Sequence, residues 1–168
     1  MQWFDWMSLG IVVAVAIIQT VRGVKAGGLG LPMYESAGLV VAAVGATKLA
    51  GPLGESLHVR SATVMIVLFL IFGLLAFVLG RWLFSLTGTS FQSLDGFFSF
   101  MFGIVAGWVI AHMVLRIIIE SQGTNGAVAS VAATSPVVRE IYLFHTWNKI
   151  MALLFRAKLG PEFNPDVG

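Results

Sequence analysis

The side chains with chemistry to offer are few, and they sit inside apolar stretches: Gln19, Glu35, Asp95 and His112. A polar or ionisable group at membrane depth is expensive unless it is paired, so each of these marks either a helix contact or a step in an ion or proton path. His112 is of the type that titrates near neutral pH, but Arg116 follows four residues later and draws it toward the headgroup level. That placement favours a structural histidine over a relay. Gln19 reads as an amide joining helices, and Glu35 as an acid near a helix start, where the dipole favours negative charge. No second interior acid is expected to complete a dyad with Glu35, so an ion path lacks its parts.

Other chemistry is missing from the pattern. The two remaining histidines, His58 and His145, are far apart, and the sequence holds no HExxH, no GxSxG and no GxxxxGK followed by Ser or Thr. Cysteine is absent, which removes thiolate nucleophiles, disulfides and Cys-based metal sites. Gly27, Gly28 and Gly30 have no strand before them, so they read as a turn rather than a phosphate loop. The ten Lys and Arg run from Arg22 to Lys158 without forming a basic stripe, which argues against a nucleic-acid partner. The expectation is a protein that is not an enzyme and carries no cofactor or metal.

The elements that must position these residues are membrane spans. Of 168 residues 58% are hydrophobic and 11% charged, against about a quarter charged in a soluble domain, and the mean hydropathy is +0.92. The charges are bunched between long apolar runs. A helix needs roughly 20 apolar residues to cross the hydrocarbon core, and four segments meet or approach that. The first, Phe4 to Val21, has Trp3 and Trp6 at its start, suited to the headgroup level; its apolar stretch Met7 to Val21 follows Asp5 rather than a basic segment and ends in Arg22 without a cleavage site, so it reads as a span and not as a cleaved signal. The second, Pro32 to Leu49, has only the twelve residues Ser36 to Thr47 between Glu35 and Lys48, with Gly51-Pro52 expected to end it. The third, Ser61 to Phe84, is uncharged as far as Arg81, and the fourth, Gly96 to Ile119, as far as Arg116.

In lipid the hydrophobic effect does not drive helices together, so small residues must bring backbones close. The fourth span places Asp95, Ser99, Gly103, Gly107 and Ala111 on one face at i+4 spacing, and the second places Gly38, Ala42, Ala46 and Ala50 likewise. These are the expected helix-packing faces, and packing within one chain is favoured over an oligomer interface.

Residues 121–168 form a tail beyond the transmembrane domain of residues 1–120. Ser135 fits an N-cap, Pro136 the first helical position and Gly160-Pro161 a stop, giving an amphipathic helix over about 136–158. Arg139, His145, Thr146, Lys149 and Arg156 share one side of it, and Ile141, Phe144, Ile150, Met151, Leu154 and Phe155 fall mainly elsewhere. Such a helix lies on the membrane surface or packs against a partner. The fold class is therefore all-α: four transmembrane helices plus a C-terminal amphipathic helix.

The order of features resembles the colicin V production protein (CvpA) family of bacterial inner-membrane proteins over roughly residues 3 to 140. The resemblance rests on Trp3-Phe4-Asp5-Trp6, Arg22-Gly23, Gly38-Leu39, Leu94-Asp95, Phe102-Gly103, Gly107 and Ser135-Pro136-Val137. The chain departs from the family pattern at Gly96 and Ala106, where basic residues are common, so an activity that uses those residues would be missing here. The resemblance implies a multi-pass protein of the bacterial inner membrane, linked to colicin V export and envelope integrity, with both termini outside the cytoplasm. The distribution of Lys and Arg runs against that orientation. The leading expectation is a non-catalytic scaffold or accessory subunit whose partners are membrane lipid and a second copy or other membrane proteins. The alternatives are a peripheral subunit of a large membrane complex and a small oligomeric transporter or channel.

Overall fold

A computed structural model of the chain describes residues 2–123, 126–132, 134–144, 146 and 148. The described residues are helical or connecting, with no strand among them. The helices are α1 (Trp3–Ala26), α2 (Gly30–Leu57), α3 (Ser61–Thr87), α4 (Asp95–Gln122), α5 (Ala127–Ala132) and α6 (Pro136–Leu143), with a 3-10 turn at Gln92–Leu94 before α4.

The first four are long and apolar enough to cross a membrane. At about 1.5 Å per residue their 24 to 28 residues extend roughly 36–42 Å. That exceeds a hydrocarbon core of about 30 Å, so the helix ends reach the headgroup layers. Val41, Leu74 and Val78 are largely exposed, as lipid-facing side chains are. Trp3 and Trp6 at the start of α1 and Trp82 near the end of α3 are exposed at opposite ends of the bundle, where indole rings favour the interface.

The second span is longer than its charges suggest. Gly51-Pro52 does not end it, because α2 continues through Pro52 to Leu57. Proline removes the N–H that would reach the Lys48 carbonyl and its ring crowds that carbonyl, but a spanning helix can carry such a break where its neighbours support it. The helix stops instead at His58, whose φ of 55° lets its N–H and that of Val59 close on the Glu55 and Gly54 carbonyls. At the other end, Gly27 with φ 75° terminates α1 and leaves a connection of three residues before α2. Pro32 sits in the first turn of α2, where its N–H is not needed.

Short connections make successive spans antiparallel, yet the largest interfaces are not all between neighbours in sequence. α1 packs chiefly on α4 and α2 chiefly on α3, while α2 and α4, which run parallel, join the two pairs. The arrangement is a rhomb with α2 and α4 across its short diagonal.

The tail begins as the sequence predicts. Ser135 Oγ accepts the Val138 N–H at 3.3 Å, and Pro136 opens α6. Val138 and Ile141 are buried with Val128 of α5 against Phe4, Ala111 and Leu115, so this stretch packs on its own bundle. The helix expected to run to about residue 158 closes at Leu143, because Phe144 adopts the left-handed conformation with φ 51°. Asn148 N–H then bonds the Phe144 carbonyl at 2.8 Å. Residues 145, 147 and 149–168, including His145, Lys149 and Arg156, lie outside the described residues.

Candidate functional site

Three carboxylates lie within the bundle, and each ties segments together. Glu35, one turn and a half into α2, is fully buried. Its two oxygens meet the Arg22 guanidinium at 2.6 and 2.7 Å, a paired geometry that suits the guanidinium fork. Gln19 Nε2 donates to Glu35 Oε2 at 2.9 Å. Arg22 also lies over the Phe77 ring, 5.5 Å from its centroid, which links α1 to α3. Room for Glu35 comes from Gly80, where a Cβ would stand 3.0 Å from Glu35 Cγ and 3.1 Å from its backbone nitrogen. Glu35 is thus held by an ion pair from the neighbouring helix, rather than by the dipole of its own helix. Gln19 does join helices, as its sequence setting implies.

Asp95 opens α4 and is buried. It accepts the N–H groups of Leu29 at 3.2 Å and Phe91 at 2.8 Å, and the Ser90 hydroxyl. Leu29 belongs to the connection between α1 and α2, so one carboxylate fastens both interhelical turns at this end. Gly30 N–H to the Thr89 carbonyl at 3.1 Å and the Tyr34 hydroxyl with Thr87 at 3.1 Å reinforce the same junction.

Asp5 holds the opposite end. It is fully buried, accepts the Gln2 N–H at 2.8 Å, and receives the Ser135 hydroxyl and the Val138 N–H from α6. The expectation of a single interior acid is therefore corrected: Asp5, Glu35 and Asp95 are all buried, and none stands as a free acid. Asp5 escaped the sequence reading because an acid in a first helical turn is ordinarily explained by the dipole alone. Its partner lies 130 positions away.

His112 is at the same end as Asp5. Its Nδ1 lies 3.0 Å from the Ile141 carbonyl; a carbonyl only accepts, so Nδ1 carries the proton and Nε2 is left for another partner. Its ring stacks with Tyr142 at 5.6 Å and lies against Phe144 at 5.2 Å. Trp108, one turn deeper, stacks on Phe144 at 6.3 Å. His112 and Trp108 thus receive the tail, a role visible only once Phe144 is placed.

The small-residue faces are taken up inside the chain. A Cβ at Gly103 would lie 2.7 Å from Ala16 Cα, and one at Gly107 2.7 Å from Val12 Cα. Ser99 presses on Gly23, and Ala111 is buried in the cluster shared with Phe4 and α6. The fourth-span face is therefore the α1 interface. Gly38 meets Ala76 of α3, Ala42 is buried, and Ala46 packs with Ala50, Val64, Met65 and Met113. The four residues Gln19, Glu35, Asp95 and His112 are not brought together in one pocket: Gln19 and Glu35 touch, Asp95 serves the turns near them, and His112 serves the tail. Among the described residues no group of three or more His, Asp or Glu forms a metal-binding cluster.

These features define an all-helical, multi-pass membrane protein in which buried polar groups lock the bundle at both ends. No family model matches the chain, and no curated protein or solved structure matches it either.

Proposed function

We propose that this chain is a non-catalytic scaffold or accessory subunit of the bacterial inner membrane, of the colicin V production type, serving export or envelope maintenance. The observation that carries the reading is the contact between Asp5 and Ser135. It joins the first and last motifs of the resemblance, and the motifs between them also fall at helix contacts: Arg22 on Glu35, Gly23 on Ser99, Gly38 on Ala76, Gly103 and Gly107 on α1, and Asp95 at the two turns. Residues spent in this way support a rigid part rather than a catalyst. With the small-residue faces occupied internally, the described residues offer other proteins chiefly the outer apolar surface.

Mild-detergent extraction of the native protein, followed by size and composition analysis, tests the proposal. The expected result is a larger particle containing other membrane proteins in fixed ratio. Recovery only as a monomer, or only as a homo-oligomer, overturns the accessory-subunit reading, and the homo-oligomer would direct attention to a pore.

A further inference from the structure

Between the parallel helices α2 and α4 lies a cleft of about 250 Å³. Its rim carries Lys48, Arg116 and His112, with Thr47 beside them, and its floor is Val40, Ala43, Val44 and Val109. A second cleft of about 580 Å³, lined by Ile104, Val105 and Trp108, shares the Val40, Val109 and Phe144 walls and carries the apolar surface deeper. The charge at the rim is available. Lys48 and Arg116 make no ion pair among the described residues, and Arg116 Nε is buried with no partner among them. His112 adds no charge there, since its Nδ1 donates to the Ile141 carbonyl and Nε2 is left as an acceptor. The one acid at the deeper cleft, Glu140, accepts the Thr146 N–H at 2.9 Å.

The length of this surface identifies what fits it. From Lys48 to Val40 and from Arg116 to Ile104 the helices descend about 12 to 18 Å at the helical rise. Half of a 30 Å hydrocarbon core is about 15 Å. Two cationic side chains above an apolar cleft about one leaflet deep match one anionic phospholipid, its phosphate at the rim and an acyl chain below.

We propose that the α2–α4 cleft is a binding site for a single anionic phospholipid, with Lys48 and Arg116 holding the phosphate. Unlike the scaffold reading, this depends on no protein partner. Removing a basic group from an anionic membrane contact weakens it about fivefold, so loss of two weakens it about 25- to 30-fold.

The experiment is native mass spectrometry of the full chain released from mixed micelles with equal phosphatidylglycerol and phosphatidylcholine of the same acyl chains. One phosphatidylglycerol retained per chain is expected, with retention falling about 25- to 30-fold in Lys48→Gln/Arg116→Gln. It should survive in Lys48→Arg/Arg116→Lys, and in Arg60→Gln/Arg81→Gln, which removes equal charge elsewhere. Val40→Trp, which narrows the apolar part without touching charge, should also reduce retention. Circular dichroism and elution volume establish that each variant is folded. Equal retention of phosphatidylcholine, or equal loss in Arg60→Gln/Arg81→Gln, overturns the proposal. So does retention that inorganic phosphate abolishes and Val40→Trp leaves unchanged, because the ligand is then free phosphate.

Discussion

Gly107→Ala tests the close approach of α1 and α4 with the smallest possible change. The added Cβ would stand 2.7 Å from Val12 Cα and 2.9 Å from its carbonyl oxygen, where ordinary contact begins at 3.4 Å. The shortfall of about 0.7 Å falls on backbone atoms, which cannot rotate aside, so the two helices must separate along the interface that also contains Gly103 on Ala16 and Ser99 on Gly23. Overpacking of this kind costs about 1–3 kcal/mol. The advantage of Ala over Gly in a helix, about 1 kcal/mol, does not offset it, because a span that leaves its partner stays helical in lipid. Gly10→Ala, on the same α1 helix with nothing within 4 Å of its Cβ position, is the matched control and should be near neutral. Stability measured by steric trapping in micelles should fall by about 1–3 kcal/mol for Gly107→Ala, and further for Gly103→Leu with Gly107→Leu. If Gly107→Ala and Gly10→Ala agree within about 0.5 kcal/mol, inside the usual range for unconstrained surface changes, the close approach is not what holds these helices.

Arg22→Met should destabilise the bundle by about 3–5 kcal/mol, since it leaves the Glu35 carboxylate buried without its cation, whereas Arg22→Met/Glu35→Met should recover most of that loss; the same unfolding assay reads both, and additive losses would refute the pairing. Asp5→Ala and Ser135→Ala should each weaken tail docking by about 1–3 kcal/mol, and the double variant should lose less than the sum of the two, as limited proteolysis after residue 123 would report. Asp95→Ala should cost about 1–3 kcal/mol and accelerate hydrogen exchange at the Leu29 and Phe91 amides, while the Val138 amide at the other end stays protected; uniform acceleration would mean that Asp95 acts on global stability rather than on the turns.

The spans were legible because apolar length between charges follows from the thickness of the bilayer. The Ser135-Pro136 helix start was legible because capping is local. Helix pairing was not, since the i+4 faces of α2 and α4 show that small residues approach something without naming the partner: the α4 face meets α1, and Gly38 of α2 meets Ala76 of α3. Pro52 does not stop α2 because a proline inside a spanning helix removes one hydrogen bond without forcing the chain out of the helix. Glu35 stands out in the sequence as a charge in an apolar run, but its partner Arg22 is visible only in the fold. Arg22 looked like the end of a span, and Asp5 like an ordinary first-turn acid.

The partnership of α1 with α4 also sets an order of events at synthesis. The two helices are separated by the whole of α2 and α3, about 70 residues of chain. At about 5–20 residues per second, roughly 4–14 s pass between them. Through that interval the face of α1 that carries Val12 and Ala16 waits without its mate, while Gln19 and Arg22 can already meet Glu35 of α2 and α2 and α3 close on each other as soon as they emerge. What α1 lacks until α4 arrives is therefore a close backbone neighbour rather than a partner for its polar side chains.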